Sequence, residues 1–328
     1  MDLDTGSSLL WLQAVLSPEQ GAPIGEQSVY RPPRSLSQNR HMKVSYADGA
    51  SLIASLYTDT VGIGSLTATS QTVGAAAMHD IRDDFRSSKS TGIMGLGDFG
   101  RKNVVLTLKS QGKMKHASIA LIGPRNDPKL ADKIDREKTL QPRGHLVVGS
   151  VERSFYTGEI AWCPIAYLGS QEMWLVKLDE VRINGKTVAK NQRALIDTGT
   201  AYIVVSQPTF ATVKAAIPGA EDIKGEQISM FSFPEANLRS VEFFFGGRSM
   251  ELRRQDFGLG QVTVGDNRMC SSIVQIPGVE GKEVFAGREQ MWIIGGIFLD
   301  NIVTIFDYEK KRVGFATIAA DMDVAAGI

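Results

Sequence analysis

The stretch ALIDTGTAYIVV, residues 194–205, decides how this chain is read. Two apolar runs, Ala194-Leu195-Ile196 and Ile203-Val204-Val205, flank the polar hinge Asp197-Thr198-Gly199-Thr200. Apolar runs bounded by Asp, Thr and Gly read as strand, tight turn, strand. The hinge recurs near the start as Asp4-Thr5-Gly6-Ser7. Each copy has the same sequel, two apolar residues and a glycine: Ile93-Met94-Gly95 and Ile293-Ile294-Gly295. One such hinge arises by chance in roughly one chain of this length in a hundred. Two copies in the same order, each with its sequel, imply two similar halves.

Outward from these hinges the pattern stays mostly β. Strands are expected over Leu52–Gly62, Gly144–Val148, Ile160–Ile165, Trp174–Ile183, Val241–Phe245 and Ile302–Asp307. Two short helices are expected, Val105–Gln111 and Pro208–Ala216, the second capped by Ser206. Many short strands with turn signals point to sandwich-like or barrel-like lobes.

Composition narrows the function. The 328 residues suggest about two domains. Lys plus Arg and Asp plus Glu are 36 each, which argues against a uniformly basic nucleic-acid binder. No run of apolar residues is long enough for a membrane-spanning helix. Two cysteines exclude a disulfide-dense scaffold and a four-thiolate zinc site. The four histidines are scattered, so neither a metal nor another cofactor is expected. Gly92-Ile93-Met94-Gly95-Leu96-Gly97 lacks the following Lys-Ser/Thr of a phosphate loop. The basic residues Arg31, Arg34, Arg40 and Lys43 read as a solvated loop.

Two aspartates brought together would repel if both were charged, and would share one proton. The ionised one then serves as general base on a water molecule, and the protonated one hydrogen-bonds the substrate carbonyl. Such chemistry needs neither metal nor covalent nucleophile. Gly6 and Gly199 would let backbone N–H groups approach Asp4 and Asp197. Thr5 and Thr198 supply short hydroxyls to cross-link the two loops. Ser7 and Thr200 can donate to the outer carboxylate oxygens.

At this level of detail the sequence resembles the pepsin-like aspartic proteases, fungal members above all, over nearly its whole length. DTGSSLLWL (4–12) is similar to the family's first catalytic loop, with its tryptophan at Trp11. VSYADGASL (44–52) resembles the flap that closes over substrate, with Tyr46, Ala47, Asp48 and Gly49 at its tip. TGIMGLG (91–97), FYTGEIAWCPI (155–165) and WIIGGIFLDNIVTIFDYEKKRVGFA (292–316) resemble further family segments. The resemblance implies a bilobal acid-protease fold of two pseudo-symmetric β-barrel-like lobes with a cleft between them. The N-terminal lobe would be 1–156 and the C-terminal lobe 157–328. It implies an aspartic endopeptidase with Asp4 and Asp197 catalytic, and a hydrogen bond between Tyr46 and Trp11. Its partners would be extended protein or peptide substrates, with no nucleic acid and no membrane span. A monomer is expected, in a secreted or vacuolar setting.

Several positions depart from the family pattern. Relatives have strands before the first loop, whereas Asp4 is nearly the first residue here. An N-terminally truncated form is therefore expected, and with it an alternative, an impaired homologue that binds peptides without cutting. Ala47 stands for the flap's usual glycine, Ala201 removes a hydroxyl, and Gly295-Gly296 replaces a common Gly-Asp. The second-lobe disulfide lacks one partner, since the region of Ser232 opposite Cys270 holds no cysteine. Two free thiols, Cys163 and Cys270, are expected.

Overall fold

The computed structural model describes residues 1–15, 29–46, 51–77, 90–97, 103–123, 144–167, 173–223, 228–261, 267–276 and 291–319. The described residues are mostly strand, in two compact units. The first comprises Met1–Ala117 with Gly169–Met173, and the second Ser118–Leu168 with Trp174–Ile328. This division falls earlier than the expected lobe boundary at 156. The reason is strand pairing: Ser118–Ile122 is antiparallel to Ile302–Asp307, with Ile119 opposite Phe306. Residues beyond Ala117 thereby join a five-stranded sheet with the C-terminal strands, in the order His145–Val148, Ser118–Ile122, Ile302–Asp307, Arg312–Ile318, Tyr156–Pro164.

The first unit is built on a six-stranded sheet. Its order is Asp2–Asp4, Gly92–Gly95, Leu10–Ala14, Leu66–Ala77, Ser51–Ile63, Ser37–Ser45. Alternation along Ser51–Ile63 buries Leu52, Ala54 and Leu56 with Leu9, Trp11, Ala76 and Ile93. Met42, Val44 and Tyr46 pack against the same cluster. The later half of the basic stretch is therefore strand and not loop. Arg40 and Lys43 lie on a nine-residue strand, because the period-two apolar series Met42, Val44, Tyr46 outweighs its charges.

The second unit holds a seven-stranded sheet, in the order Arg248–Glu251, Val241–Phe245, Leu175–Ile183, Lys186–Ile196, Met291–Ile294, Ile203–Val205, Ile273–Val274. Aromatic rings fill its core, with Phe243 5.8 Å from Trp292 and 4.8 Å from Phe298 between centroids. Asn184-Gly185 closes the hairpin after Ile183, both residues at positive φ as such a two-residue turn requires. The helices span Val104–Ser110 and Gln207–Ala215, each one residue earlier than expected. Ser206 is at the expected cap position, with its hydroxyl donating to Thr209 Oγ1 at 3.1 Å.

On this sheet Glu180 receives two hydrogen bonds from the Arg182 guanidinium, at 2.9 and 3.0 Å, and one from the Thr187 hydroxyl. The Arg182 bonds, then the Thr187 bond, pull its carboxyl down from 4.5 to about 2. A lowered folded-state value means the contribution is complete above about 4.5 and fades as pH falls towards 2. Glu180→Gln is expected to lower the urea midpoint at neutral pH and to leave it unchanged near pH 2. Denaturation curves across that interval check this.

Cys163 and Cys270 are free. Cys163 is buried, and burial pushes its thiol up to about 12. Cys270 stands directly opposite Ser232 in an antiparallel pair. Such pairs have Cα atoms about 4.5–5.5 Å apart, inside the range a disulfide spans. Ser232→Cys is therefore expected to oxidise to a cross-strand bridge worth about 2–4 kcal/mol. Part of that gain is offset by loss of the Arg268 bonds to the Ser232 hydroxyl, at 2.8 and 3.2 Å. A thiol titration and a thermal melt with and without reductant read both effects.

Candidate active site

Each Asp-Thr-Gly hinge sits at the end of a strand held in the same three-strand weave. In the first unit, Leu3 pairs with Met94 in parallel, and Met94 pairs with Leu10 in antiparallel fashion. In the second, Ile196 pairs with Ile294 and Ile294 with Ile203. The apolar-apolar-Gly strand thus runs between the strand entering the hinge and the strand leaving it. That is the physical content of the sequence repeat: the two apolar residues fill the core on both sides of the weave.

The glycine ends the weave because the hinge folds back over it. A Cβ on Gly95 would lie 2.5 Å from both Leu9 N and the Ser8 carbonyl carbon. On Gly295 it would lie 2.2 Å from Thr200 O and 2.3 Å from Tyr202 O. Neither glycine has a positive φ, so close approach of backbone, and not conformational freedom, excludes a side chain here. The hinges are then tied from below by main chain. Leu96 N donates to Asp4 O at 2.7 Å and Gly97 N to Ser7 O at 2.8 Å. Gly296 N donates to Thr200 O at 2.7 Å and Ile297 N to Ala201 O at 2.9 Å.

Both carboxylates are locally organised. Gly6 N donates to Asp4 Oδ1 at 2.8 Å, and Gly199 N donates to Asp197 Oδ1 at 2.9 Å. The amide two residues on thus grips each aspartate in the same way, an Asx-type turn. The outer oxygens differ. Thr200 Oγ1 donates to Asp197 Oδ2 at 2.7 Å. Ser7 Oγ is buried and has no hydrogen-bond partner among the described residues, so the expected counterpart bond to Asp4 is not made. Asp4 is 5% exposed and Thr5 1%, whereas Asp197, Thr198 and Thr200 are half-buried and Gly199 is exposed.

Trp11 Nε1 donates to the Tyr46 hydroxyl at 2.6 Å. The tryptophan ring is buried in the core. Tyr46 closes the strand Ser37–Ser45, whose partner begins at Ser51, with Ser45 opposite Ser51. The hairpin expected of a flap is present up to its tip. Ala47, Asp48 and Gly49 lie outside the described residues.

Gly97 is the residue that sequence reasoning left out of the site. A Cβ there would approach Thr5 O to 2.7 Å, so Gly97 is the floor under the first hinge. Its signal was the second glycine of Gly95-Leu96-Gly97, two residues after the shared motif. Among the described residues no cluster of His, Cys, Asp and Glu could hold a metal ion, and no helix is long and apolar enough to cross a membrane.

Comparison with known proteins adds an independent line. The family model for eukaryotic aspartyl proteases matches residues 1–318. An aspartic protease of Phaffia rhodozyma is 28% identical over 322 residues, covering 96% of this chain and 72% of that protein. Pepsin A of Sus scrofa is 25% identical over 326 residues, covering 96% of this chain and 77% of that protein. Aspergillopepsin-1 of Aspergillus clavatus is 28% identical over 333 residues, covering 97% and 75%.

Proposed function

The chain belongs to the eukaryotic aspartyl protease family, an endopeptidase family, and we propose that Asp4 and Asp197 are the two carboxylates with which it hydrolyses peptide bonds. The observation that carries the proposal is the duplicated grip: in both hinges the amide two residues on donates to Oδ1, at 2.8 and 2.9 Å. A grip of that kind holds each carboxylate in a fixed orientation through one oxygen, which is what a proton-transfer group requires.

In this reading the two aspartates share one proton, a behaviour for which aspartic proteases are the general illustration. The ionised carboxylate takes a proton from water as the water oxygen adds to the peptide carbonyl carbon. The protonated carboxyl donates to the carbonyl oxygen, which becomes a hydroxyl in the tetrahedral intermediate. A proton then passes to the leaving nitrogen as the C–N bond breaks. Thr200, whose hydroxyl donates to Oδ2 at 2.7 Å, orients Asp197. The substrate is an extended protein segment that hydrogen-bonds the flap backbone around Tyr46, Ala47, Asp48 and Gly49 in strand fashion. One chain carries both aspartates, so a monomer suffices. The setting is an acidic one, secreted or vacuolar.

The test is incubation of the folded chain with denatured protein from acid to neutral pH, with and without pepstatin. Pepstatin-sensitive cleavage supports the reading. A folded chain that binds peptide and cuts nothing at any pH overturns it in favour of a binding module.

A further inference from the structure

We propose that the outer face of the first unit's sheet, along Ser37–Ser45 and Ser51–Ile63, is a docking strip for an extended acidic peptide segment. One face of these strands is committed to the core through Met42, Val44, Leu52, Ala54 and Leu56. Their alternates, His41, Lys43, Ile53 and Ser55, stand on the opposite face. The helix Val104–Ser110 covers that opposite face over the neighbouring strand, with Thr107 Oγ1 donating to Gln71 Oε1 at 2.6 Å and Val73 and Ala75 buried. Ser55 and Tyr57 are directly opposite Ala75 and Val73. The same face therefore continues past the helix and comes out into solvent.

Two independent features mark what remains exposed. The first is apolar: Ile53 is 56% exposed on a strand whose other members are placed by burial. Its side chain offers one apolar contact beside Lys43, the residue across from it. The second is charge. His41 and Lys43 stand on this face, Arg31, Arg34 and Arg40 are exposed in the same segment, and residues 27–47 contain no carboxylate. None of Arg31, Arg34, Arg40 and Lys43 makes an ion pair with a described residue. Asp59, the one carboxylate on these two strands, accepts from the Tyr30 hydroxyl and from Thr60 N, each at 2.7 Å. Because the whole chain is neutral, this strip is a local excess and not part of a general basic field.

The register selects the partner. Lys43 lies directly across from Ile53, and His41 across from Ser55, with His41 Nδ1 and Ser55 Oγ 3.1 Å apart. The cations thus stand on one strand and the apolar residue beside them on its neighbour, which suits an extended peptide with carboxylates on one side and apolar side chains on the other. A nucleic acid would gain nothing from Ile53, and a chain of zero net charge adds no general long-range attraction for it.

The test is fluorescence anisotropy with a labelled peptide of about ten residues alternating Glu and Leu, long enough to span the strand. The same peptide with Gln for Glu and a duplex DNA of similar charge serve as comparisons. All arms use the Asp197→Asn chain, so the probe is not consumed and a failure here leaves the hydrolysis reading untouched. The acidic peptide should bind at least about tenfold more tightly than the neutral one, and lose affinity as salt rises to roughly 0.15 M. Arg40→Glu with Lys43→Glu should cost about tenfold, and Ile53→Ser about threefold, without change in thermal stability. Equal binding of the neutral peptide, indifference to the charge reversals, or DNA binding as tight as the peptide's would each overturn the proposal.

Discussion

Replacing Asp197 by Asn is expected to lower kcat for peptide hydrolysis by roughly 10³- to 10⁴-fold while leaving the melting temperature nearly unchanged. Asn has the shape of Asp, so Oδ1 still accepts from Gly199 N, now at 2.9 Å. The Thr200 hydroxyl, which donates to Oδ2 at 2.7 Å, need only rotate to accept from the new amide. What disappears is the capacity to hold and release a proton at that oxygen. Asp4→Asn should match the loss in rate, since a shared proton cannot be managed by one carboxylate. The double variant should then be little worse than either single one, as expected for groups that act as a unit. Rates on a pepstatin-sensitive substrate, with thermal melts of all three variants, decide the matter. A single variant that retained a tenth or more of the wild-type rate would remove that aspartate from the chemistry.

The second large effect concerns backbone approach. Gly295→Ala is expected to destabilise the second unit by about 3 kcal/mol, at the upper end for overpacking. Its Cβ would sit 2.2 Å from Thr200 O and 2.3 Å from Tyr202 O, both main-chain atoms that no rotamer change can move aside. Relief requires the hinge to lift, and the hinge carries Asp197. Activity should therefore fall by about a hundredfold even at temperatures where the variant stays folded, the cost of misplacing a reacting group by about 1 Å. Gly296→Ala is the internal control. Its Cβ would meet Thr200 O at 3.7 Å and Ala201 O at 3.9 Å, ordinary contact distances, so stability should change by no more than about 0.5 kcal/mol. Denaturant melts of the two neighbouring variants, with kcat measured below the lower melting temperature, separate clash from composition. Equal behaviour of the two glycines would show that the hinge tolerates displacement.

The paired hinges and the mostly β architecture were legible in the sequence, because each hinge carries its own local rule. Asp-Thr-Gly makes an amide-to-carboxylate turn from residues two apart, and Ile-Ile-Gly or Ile-Met-Gly declares a buried strand ending where no side chain fits. The strands Val241–Phe245 and Ile302–Asp307 fall as expected, since apolar alternation and turn residues bound them without outside help. The Trp11–Tyr46 bond followed from resemblance and is present at 2.6 Å. Other features depended on partners remote in sequence. The boundary between units moved to Ala117 because Ser118–Ile122 takes its neighbour from residues 302–307, a pairing that local pattern does not encode. Arg40 and Lys43 became part of a strand because Met42 and Val44 found a core supplied by Leu9, Trp11 and Ile93. Ser7 and Thr200 are equivalent in sequence, yet only Thr200 reaches its aspartate, because the tertiary fit of each hinge sets where the hydroxyl points. The sequence by itself determined which residues turn and which are buried, since those preferences act over a few bonds. Only the tertiary structure decided how closely backbone passes over Gly95, Gly97 and Gly295, because that distance is set by strands that meet across the sheet.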